Sequence, residues 1–210
     1  MAHSTDPLPR ASLLKIPLQQ RAIDTVHLIL DAGIRVLESE GVAGFTTNRV
    51  AEVAGVSPGS LYQYFTNKEM IVSGIVERGV LSTEQQIRGV SLNAVDIPPR
   101  VLLRQVCLSV LVQLEPYRVL LSEILAATPV LSGTGVAAIL ETRIGDVFRA
   151  YLTANSERYR VRGGHAALYV AINGAIYVVL KWLSERPAFI SREALVDALV
   201  TQLDVLLIAS

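Results

Sequence analysis

The sequence predicts an all-α protein of about nine helices, with a small three-helix domain at the N-terminus and a larger helical domain after it. Apolar residues recur three and four positions apart through most of the 210 residues, which is typical of helices that bury one face. Glycine and proline divide these segments, and no segment shows the alternation of a half-buried strand. With 51% hydrophobic residues and a mean hydropathy of +0.42, the chain has enough apolar surface for a large core.

The first predicted helix runs from about Leu18 to Glu40, and Gly41 is expected to end it. Its apolar face repeats at four-three-four spacing: Val26, Leu30, Gly33 and Leu37.

The segment Thr46–Lys68, TTNRVAEVAGVSPGSLYQYFTNK, predicts two short helices joined by a tight turn. Thr47 is expected to cap the first helix, and Gly55 is the residue that most readily ends it with a positive φ. Ser57 is expected to cap the second helix, which has Pro58 at its first position and extends for two turns to about residue 65. Two helices at a steep angle across a glycine-containing turn form a helix-turn-helix, whose second helix enters the major groove of DNA.

The side chains of the second helix suit contact with a duplex. Gly59 and Ser60 lie in its first turn, which meets the base edges, and Gly59 lets the backbone approach closely. Gln63 can pair with adenine, whereas Tyr62 and Tyr64 carry hydroxyls that suit phosphate. The expected DNA-binding residues are Thr47, Asn48, Arg49, Ser57, Pro58, Gly59, Ser60, Tyr62, Gln63, Tyr64 and Lys68.

The start of the next helix adds an independent observation. Thr66 and Glu69 fit a capping box, which places Lys68 in the first turn, where the helix dipole disfavours a cation. A lysine there is favourable if a phosphate docks on the free N–H groups of the helix end. A solvated surface lysine is the alternative interpretation.

These residues resemble the N-terminal domain of the TetR family of bacterial transcriptional regulators, over about Arg21 to Val76. The resemblance is carried by Ala32, Gly41, Thr46–Thr47, Val50–Ala51, Ala54–Gly55–Val56–Ser57, Leu61–Tyr62–Gln63–Tyr64–Phe65 and Asn67–Lys68–Glu69. It implies a DNA-binding homodimer whose C-terminal domain senses a small molecule, with the effector relieving repression. Beyond the first third, the chain resembles the family only in its length and helical character.

We therefore expect a flexible tail over residues 1–16, a helix-turn-helix DNA-binding domain over 17–66, and a ligand-binding and dimerisation domain over 67–210. The tail shows no periodic pattern, although its Arg10 and Lys15 leave open a role as an arm in the minor groove. The helix that starts near residue 67 and runs to about residue 88 is expected to link the two domains.

The charge balance argues against a strongly basic DNA-binding domain. The chain carries 19 Lys/Arg and 19 Asp/Glu, and residues 1–70 contain six of the cations and seven of the anions. Attraction to phosphate must therefore come from local placement, because the segment from Thr46 to Lys68 sets Arg49 and Lys68 against Glu52 alone. We expect modest non-specific affinity for DNA and a shallow salt dependence.

Other residue types exclude several classes of function. Cys107 is the only cysteine, which rules out an internal disulfide and fits a reducing cytoplasm, and it is expected to pack in the core. The three histidines lack metal-ligand spacing, and no phosphate loop or nucleophile elbow is present, so no enzyme, metal or cofactor is expected. The most apolar run, residues 166–180, is shorter than the roughly 20 residues of a membrane span. No charged segment followed by an apolar one appears at the N-terminus, so we expect no export signal and a cytoplasmic protein with a buried helix at this run.

The helix predicted over residues 164–186 carries two distinct stripes. Polar residues recur every four positions: His165, Tyr169, Asn173, Tyr177 and Lys181. Opposite them lies a small-residue ridge: Ala167, Ala171 and Ala175. Our hypothesis is that the ridge and the last helix pair with a second subunit, while the polar stripe lines an apolar effector cavity. The expected cavity residues are Leu103, Cys107, Leu111, Tyr117, Leu121, Phe148, Tyr169, Asn173 and Tyr177, with Arg104 or Arg143 available for an acidic effector.

Two alternatives stay open at this point. The tyrosines of the polar stripe can pack with their hydroxyls at the rim, with Asn173 fixing the register of the dimer. The C-terminal half can also serve as a platform for a protein partner that controls the DNA-binding dimer in place of a small ligand.

Overall fold

The computed structural model of the chain describes residues 6–92, 96–127 and 135–209, and it confirms the all-α prediction. The helices of these described ranges are α1 (Gln20–Gly44), α2 (Thr47–Ala54), α3 (Pro58–Tyr62), α4 (Lys68–Leu92), α5 (Pro99–Leu114), α6 (Arg118–Ala127), α7 (Gly135–Ala154), α8 (Gly164–Glu185) and α9 (Arg192–Asp204). The contacts divide the chain into two compact units, Met1–Ser82 and Thr83–Ser210, so the division falls within α4.

Two short strands correct the expectation that the chain has none. β1 (Tyr159–Val161) pairs antiparallel with β2 (Leu207–Ala209), with Tyr159 opposite Ala209. The apolar pattern after Ser191 predicts a last helix that reaches Ile208, but the helix ends at Asp204, before β2. Strands of three residues contain too few alternations for a period of two to be visible in the sequence, and their partners lie far apart along the chain.

The first unit is built on the predicted apolar face of α1. All four positions of that face are buried, and the helix is interrupted at the predicted stop, Gly41, whose φ is 67°. Three residues of helix follow before Phe45, whose 2% exposed ring lies in the core of this unit. Phe45 is thus fixed in the core directly before the helix-turn-helix begins.

The predicted flexible tail is corrected for the segment that we call the strap, residues 10–14. The backbone N–H groups of Ala11 and Ser12 donate to the two carboxylate oxygens of Glu77 in α4, at 3.0 and 2.9 Å, and the Ser12 hydroxyl donates to the same carboxylate at 2.6 Å. The N–H of Leu14 donates to the carbonyl oxygen of Tyr64 at 2.9 Å. These hydrogen bonds hold the strap in place. Because their acceptors lie far away along the chain, no local sequence pattern predicts them. Residues 1–5 lie outside the described residues.

A buried charge joins α1 to α4 within the first unit. The Arg78 side chain is 2% exposed, and its Nη1 lies 2.7 Å from Oδ1 of the half-exposed Asp31. His27 is also buried, which lowers its pKa, and the Arg78 charge lowers it further. Because unfolded His27 takes up a proton near pH 6.5 and folded His27 only at lower pH, the free energy of unfolding should fall as the pH drops below about 6.5.

The second unit packs its helices around α8. Helix α5 contacts α9, while α6 and α7 contact α8. The pair Pro98–Pro99 predicts a helix start, and α5 begins there, with Pro98 as N-cap and Pro99 as the first helical residue. Ser191 caps α9 by accepting the N–H of Ala194. The glycines and polar residues of Ser132–Gly135 predict a loop, but Gly135 is the first residue of α7, and residues 132–134 lie outside the described residues.

Helix α8 has about the predicted bounds but is less covered than the sequence suggested. By length and composition alone, its 22 residues could span a membrane. The most apolar stretch of the helix has a mean hydropathy of 1.6, and about a third of that stretch is buried. A core helix of a folded domain meets the same criterion. One face packs inside the unit, and the other leaves large apolar side chains in solvent: Tyr169, Val170, Tyr177 and Val178. The expectation of a buried helix is therefore correct for one face only.

Candidate nucleic-acid interface and effector cavity

The helix-turn-helix lies where the sequence predicts it, with its first cap displaced by one residue. Thr46, with extended backbone, caps α2 by accepting the N–H of Arg49 at 3.2 Å, so Thr47 is the first helical residue and not the cap. Gly55 ends α2 in the left-handed region at φ 68°, as predicted, and its N–H returns to the carbonyls of α2. The turn is therefore closed by backbone bonds before the second helix starts.

Helix α3 is capped and short. Ser57 accepts the N–H of Ser60 at 3.1 Å, and the two hydroxyls lie 2.9 Å apart. The helix ends at Tyr62 and not near Phe65 as predicted. Leu61 and Phe65 are fully buried, so they hold α3 and the following turn to the core of the first unit.

The opposite surface of α3 is open to solvent. Ser57, Pro58, Gly59 and Gln63 are exposed, and Tyr62 is 45% exposed. The Tyr62 hydroxyl lies 3.1 Å from the hydroxyl of Thr47, which fixes the ring against the start of α2. Tyr64 differs from Tyr62, since only 8% of its surface is exposed.

Gly59 has no structural reason to be glycine. Among the residues that the structure describes, a Cβ built on Gly59 would meet only Ser57 Oγ, at 3.9 Å. Its backbone is helical and its surroundings are empty, so the fold would accept almost any side chain there. A glycine at this place keeps the backbone of α3 accessible to a close neighbour from outside.

Arg49 is less available than the sequence suggests. Its Nε lies 2.7 Å from Glu40 Oε1, and its Nη1 lies 2.8 Å from Glu52 Oε2. The hydrogen bond with Glu40, followed by that with Glu52, raises the pKa of Arg49. Two carboxylates therefore offset the one positive charge of α2.

The start of α4 keeps an exposed cation, with its cap again displaced by one residue. Asn67 Oδ1 accepts the N–H of Met70 at 2.9 Å, so Asn67 is the cap and the predicted capping box at Thr66 is wrong. The Thr66 hydroxyl instead lies 2.8 Å from the Met70 sulfur. Lys68 lies in the first turn, as predicted, but it is the first residue of the helix because the helix starts one residue later than expected, and it is exposed.

A narrow apolar cavity lies in the second unit, between helices α5, α7 and α8 and the end of α9. It measures about 50 Å³, and its wall consists of Leu103, Val106, Cys107, Val110, Ile144, Phe148, Leu168, Ala171, Ile172, Ala175, Ile176, Val179, Leu203, Leu206 and Leu207. A space of this size holds on the order of four waters, so an organic ligand must widen it. The only heteroatom among the wall side chains is the Cys107 sulfur, and burial raises the pKa of its thiol to about 11, which keeps it neutral.

Three of the nine expected cavity residues line this wall: Leu103, Cys107 and Phe148. Tyr169 and Tyr177 are instead 62% and 47% exposed, and the Asn173 amide donates to the Tyr169 carbonyl within α8. Leu111 and Leu121 are buried outside the wall, and Tyr117 is half-buried outside it. The polar stripe of α8 therefore faces away from the cavity, because the competing apolar stripe gains more from burial.

The sequence reasoning missed the α8 stripe that does line the cavity: Leu168, Ile172, Ile176 and Val179. Its four-four-three spacing was visible but was hidden among apolar residues on the other faces of the helix. The arginines considered for an acidic effector lie outside the wall, where Arg104 pairs with Asp197 and Arg143 pairs with Glu84. The described residues contain no group of three or more His, Cys, Asp or Glu that could hold a metal ion.

A second, open depression follows the exposed side of α8. It lies between α8 and α9 and is floored by small or aliphatic residues, among them Ala167, Val170, Gly174 and Val178 from α8 and Leu199 from α9. Ala171 and Ala175 contribute to both this groove and the cavity wall. The small-residue ridge thus separates an internal space from an external one.

Comparison with known proteins finds a family match in the N-terminal part of the chain and a likeness in fold over most of the chain. Residues 29–75 match the model of the bacterial regulatory proteins of the tetR family. The nucleoid occlusion factor SlmA of Haemophilus ducreyi is 36% identical over 67 residues, which is 31% of this chain and only 33% of that protein. The match to this relative therefore spans about a third of its length.

Solved structures extend the likeness in fold to most of the chain. SmeT, the repressor of the Stenotrophomonas maltophilia multidrug efflux pump SmeDEF, superposes with a TM-score of 0.65 at 21% identity, covering 89% of this chain and 93% of that one. The fatty acid degradation regulator FadR of Bacillus halodurans gives 0.55 at 18% identity, covering 85% and 94%. A complex of SmeT with triclosan gives 0.59 at 21% identity, covering 85% and 91%.

Proposed function

This chain belongs to the TetR family of bacterial transcriptional regulators, and we propose that it is a repressor released from a palindromic operator by an apolar small molecule. The observation that carries the proposal is α3, a capped helix whose inner side is anchored by buried Leu61 and whose outer side is open around Gly59. We propose that it acts in the cytoplasm as a homodimer, without enzymatic activity and without a membrane.

The proposed role of α3 is to enter the major groove. Its first turn offers an unhindered backbone at Gly59, with Gln63 available for adenine and Tyr62 for phosphate. Lys68 and the free N–H groups at the start of α4 suit a neighbouring phosphate. A duplex selected from a random library by the purified protein is expected to contain two inverted half-sites about 34–36 Å apart. Recovery of no enriched sequence would contradict the proposal.

The homodimer is proposed to form through the exposed face of α8 and its groove with α9. This face leaves Val170 67% and Tyr169 62% exposed, which is unusual for contiguous apolar side chains on one helix. The small residues along the groove allow two helices to approach closely. A two-fold arrangement of α8 and α9 would cover the face with its own copy and form a four-helix interface.

Replacing Val170 with glutamate is expected to yield a folded monomer that no longer binds the operator. A carboxylate placed twice at a self-complementary interface would be desolvated against its own copy, while in the single chain it stays in water. Light scattering after size exclusion measures the mass, and circular dichroism checks the fold. Val112→Glu is the matched control, because Val112 is 53% exposed on α5 and lies outside the groove. An unchanged dimer of Val170→Glu would place the interface elsewhere.

The effector is proposed to be neutral and apolar because the cavity wall carries no charged side chain. Helix α7 connects the cavity to α4 inside the second unit. Ile144 and Phe148 line the cavity, and the neighbouring Arg143 lies 2.9 Å from Glu84 of α4. A ligand that widens the cavity would displace α7 and favour states in which α4 is shifted, which lowers affinity for the operator.

Filling the cavity tests this assignment without a known effector. Cys107→Phe is expected to abolish the fluorescence gain of Nile red, a neutral apolar dye, because the added ring exceeds the free space of about 50 Å³. The same variant should bind the operator more weakly, since overpacking displaces the wall as a ligand would. Cys107→Ala is the control and is expected to retain dye binding and operator affinity. Unchanged dye binding by Cys107→Phe would show that the dye binds elsewhere, and would favour control by a protein partner.

A further inference from the structure

We propose that Lys15, the residue directly after the strap, binds a backbone phosphate of DNA beside the recognition helix. Glu77 positions Lys15 by holding the strap. The inference deepens the proposed function and rests on it, since it requires a duplex at α3. Nothing in the helix-turn-helix motif assigns either residue a role.

The first observation is a shortage of positive charge at the proposed interface. Arg49, the one cation of α2, is held between Glu40 and Glu52 at 2.7 and 2.8 Å. Binding to DNA depends on cations that replace the counterions of its phosphates. With Arg49 neutralised, Lys68 alone among the cations of the segment from Thr46 to Lys68 is left without a carboxylate ion pair in the described contacts.

The second observation is the direction in which the strap runs. Its beginning is fixed to Glu77, nine residues beyond Lys68, which is about 13 Å along α4. Its end is fixed by the bond from the Leu14 N–H to the carbonyl of Tyr64, two residues after α3 ends. The strap therefore runs towards the recognition helix. Lys15, which follows Leu14 directly and is exposed, is the cation at that end.

The third observation is how firmly the strap is held. Three donors converge on the Glu77 carboxylate at 2.6 to 3.0 Å, and hydrogen bonds to a charged acceptor are stronger than neutral ones. Pro9 and Pro17, on either side of the strap, are both buried. Because the backbone beside Lys15 is already ordered in the free protein, binding DNA costs less conformational entropy than it would from a loose tail.

Lys15→Gln tests the contact, and Arg10→Gln is its matched control. Both residues are exposed cations beside or in the strap, but Arg10 lies at the Glu77 end and Lys15 at the α3 end. The affinity for a labelled duplex, selected with the unaltered protein, is measured by fluorescence anisotropy over a range of salt concentrations. Lys15→Gln is expected to reduce the slope of log K against log salt by about 0.9 per subunit, which corresponds to one lost phosphate contact. Arg10→Gln is expected to leave the slope unchanged.

Glu77→Ala separates positioning from stability. It is expected to reproduce the slope change of Lys15→Gln, and the double variant should lose no more than either single variant. Hydrogen exchange should show loss of protection at the N–H groups of Ala11 and Ser12. A merely structural role of Glu77 would lower the melting temperature and leave the salt slope as it was. Glu77→Gln, which keeps one acceptor oxygen, should recover part of the slope.

The possible outcomes separate this inference from the proposed function. Suppose that the unaltered protein binds a duplex, and that Lys15→Gln and Arg10→Gln both show the same slope of log K against log salt as the unaltered protein. The inference is then overturned and the DNA-binding function stands. If the unaltered protein retains no duplex at low salt, the proposed function itself is wrong, and the strap contact is wrong with it.

Discussion

Gly59→Leu is expected to reduce operator affinity by at least about 30-fold, because base contacts worth ~1–3 kcal/mol each would be lost in both half-sites. The leucine side chain projects from the first turn of α3 into open space, where only Ser57 Oγ lies within 4 Å of the position that its Cβ would occupy. It would hold the helix backbone away from the bases. Anisotropy with the selected duplex measures the affinity.

The same substitution is expected to leave the free energy of unfolding unchanged or raise it by roughly 0.5–1 kcal/mol, because glycine is the poorer residue inside a helix. Gly89→Leu is the matched control, since Gly89 is exposed in α4 and a Cβ built there meets no other side chain of the described residues within 4 Å. The control should gain similar stability and keep full operator affinity. A Gly59→Leu protein that binds as tightly as the unaltered one would remove α3 from the interface.

Asp31→Ala is expected to lower the free energy of unfolding by about 2–3 kcal/mol. Breaking a buried ion pair usually costs ~3–5 kcal/mol. We expect a smaller loss here because Asp31 is half-exposed. The damage comes from Arg78, whose guanidinium is left inside the first unit with no counter-charge. Its Nε has no hydrogen-bond partner within the described residues even when Asp31 is present. Urea unfolding followed by circular dichroism measures the effect.

The double variant Asp31→Ala/Arg78→Met is expected to return to within about 1 kcal/mol of the unaltered protein, because a methionine fills the site without a charge. Asp24→Ala serves as a control on the same helix, since Asp24 is bonded only to Gln20 at an exposed position, and it should cost less than about 0.5 kcal/mol. If the double variant is less stable than Asp31→Ala, the buried charge stabilises the fold and the stated reason is wrong.

The features that were predictable from the sequence are those set by neighbouring residues. The turn at Gly55, the cap at Ser57 and the break at Gly41 each depend on one residue type in one local conformation. Two caps were predicted one residue out of register, at Thr47 and Thr66. Threonine, asparagine and serine all cap helices well, so when two of them are adjacent the backbone conformation chooses between them.

The features that were not predictable depend on residues brought together from distant positions. Glu40 neutralises Arg49 from the far side of the Gly41 break, and Glu77 holds a strap more than sixty positions earlier in the chain. The face of α8 was misassigned for a different reason. This helix is apolar on most sides, so periodicity cannot say which stripe faces the cavity and which faces a partner.

If the exposed face of α8 is the dimer interface proposed above, it has a genetic consequence. A chain whose recognition helix is damaged, as in Gly59→Leu, still presents Val170 and Val178 to any sibling chain in the same cell. Mixed dimers would then contain one intact and one damaged recognition helix. When the damaged chain is in excess, few dimers with two intact recognition helices would remain. Such an allele is expected to silence a wild-type copy in a merodiploid strain, whereas the same allele combined with Val170→Glu should be recessive.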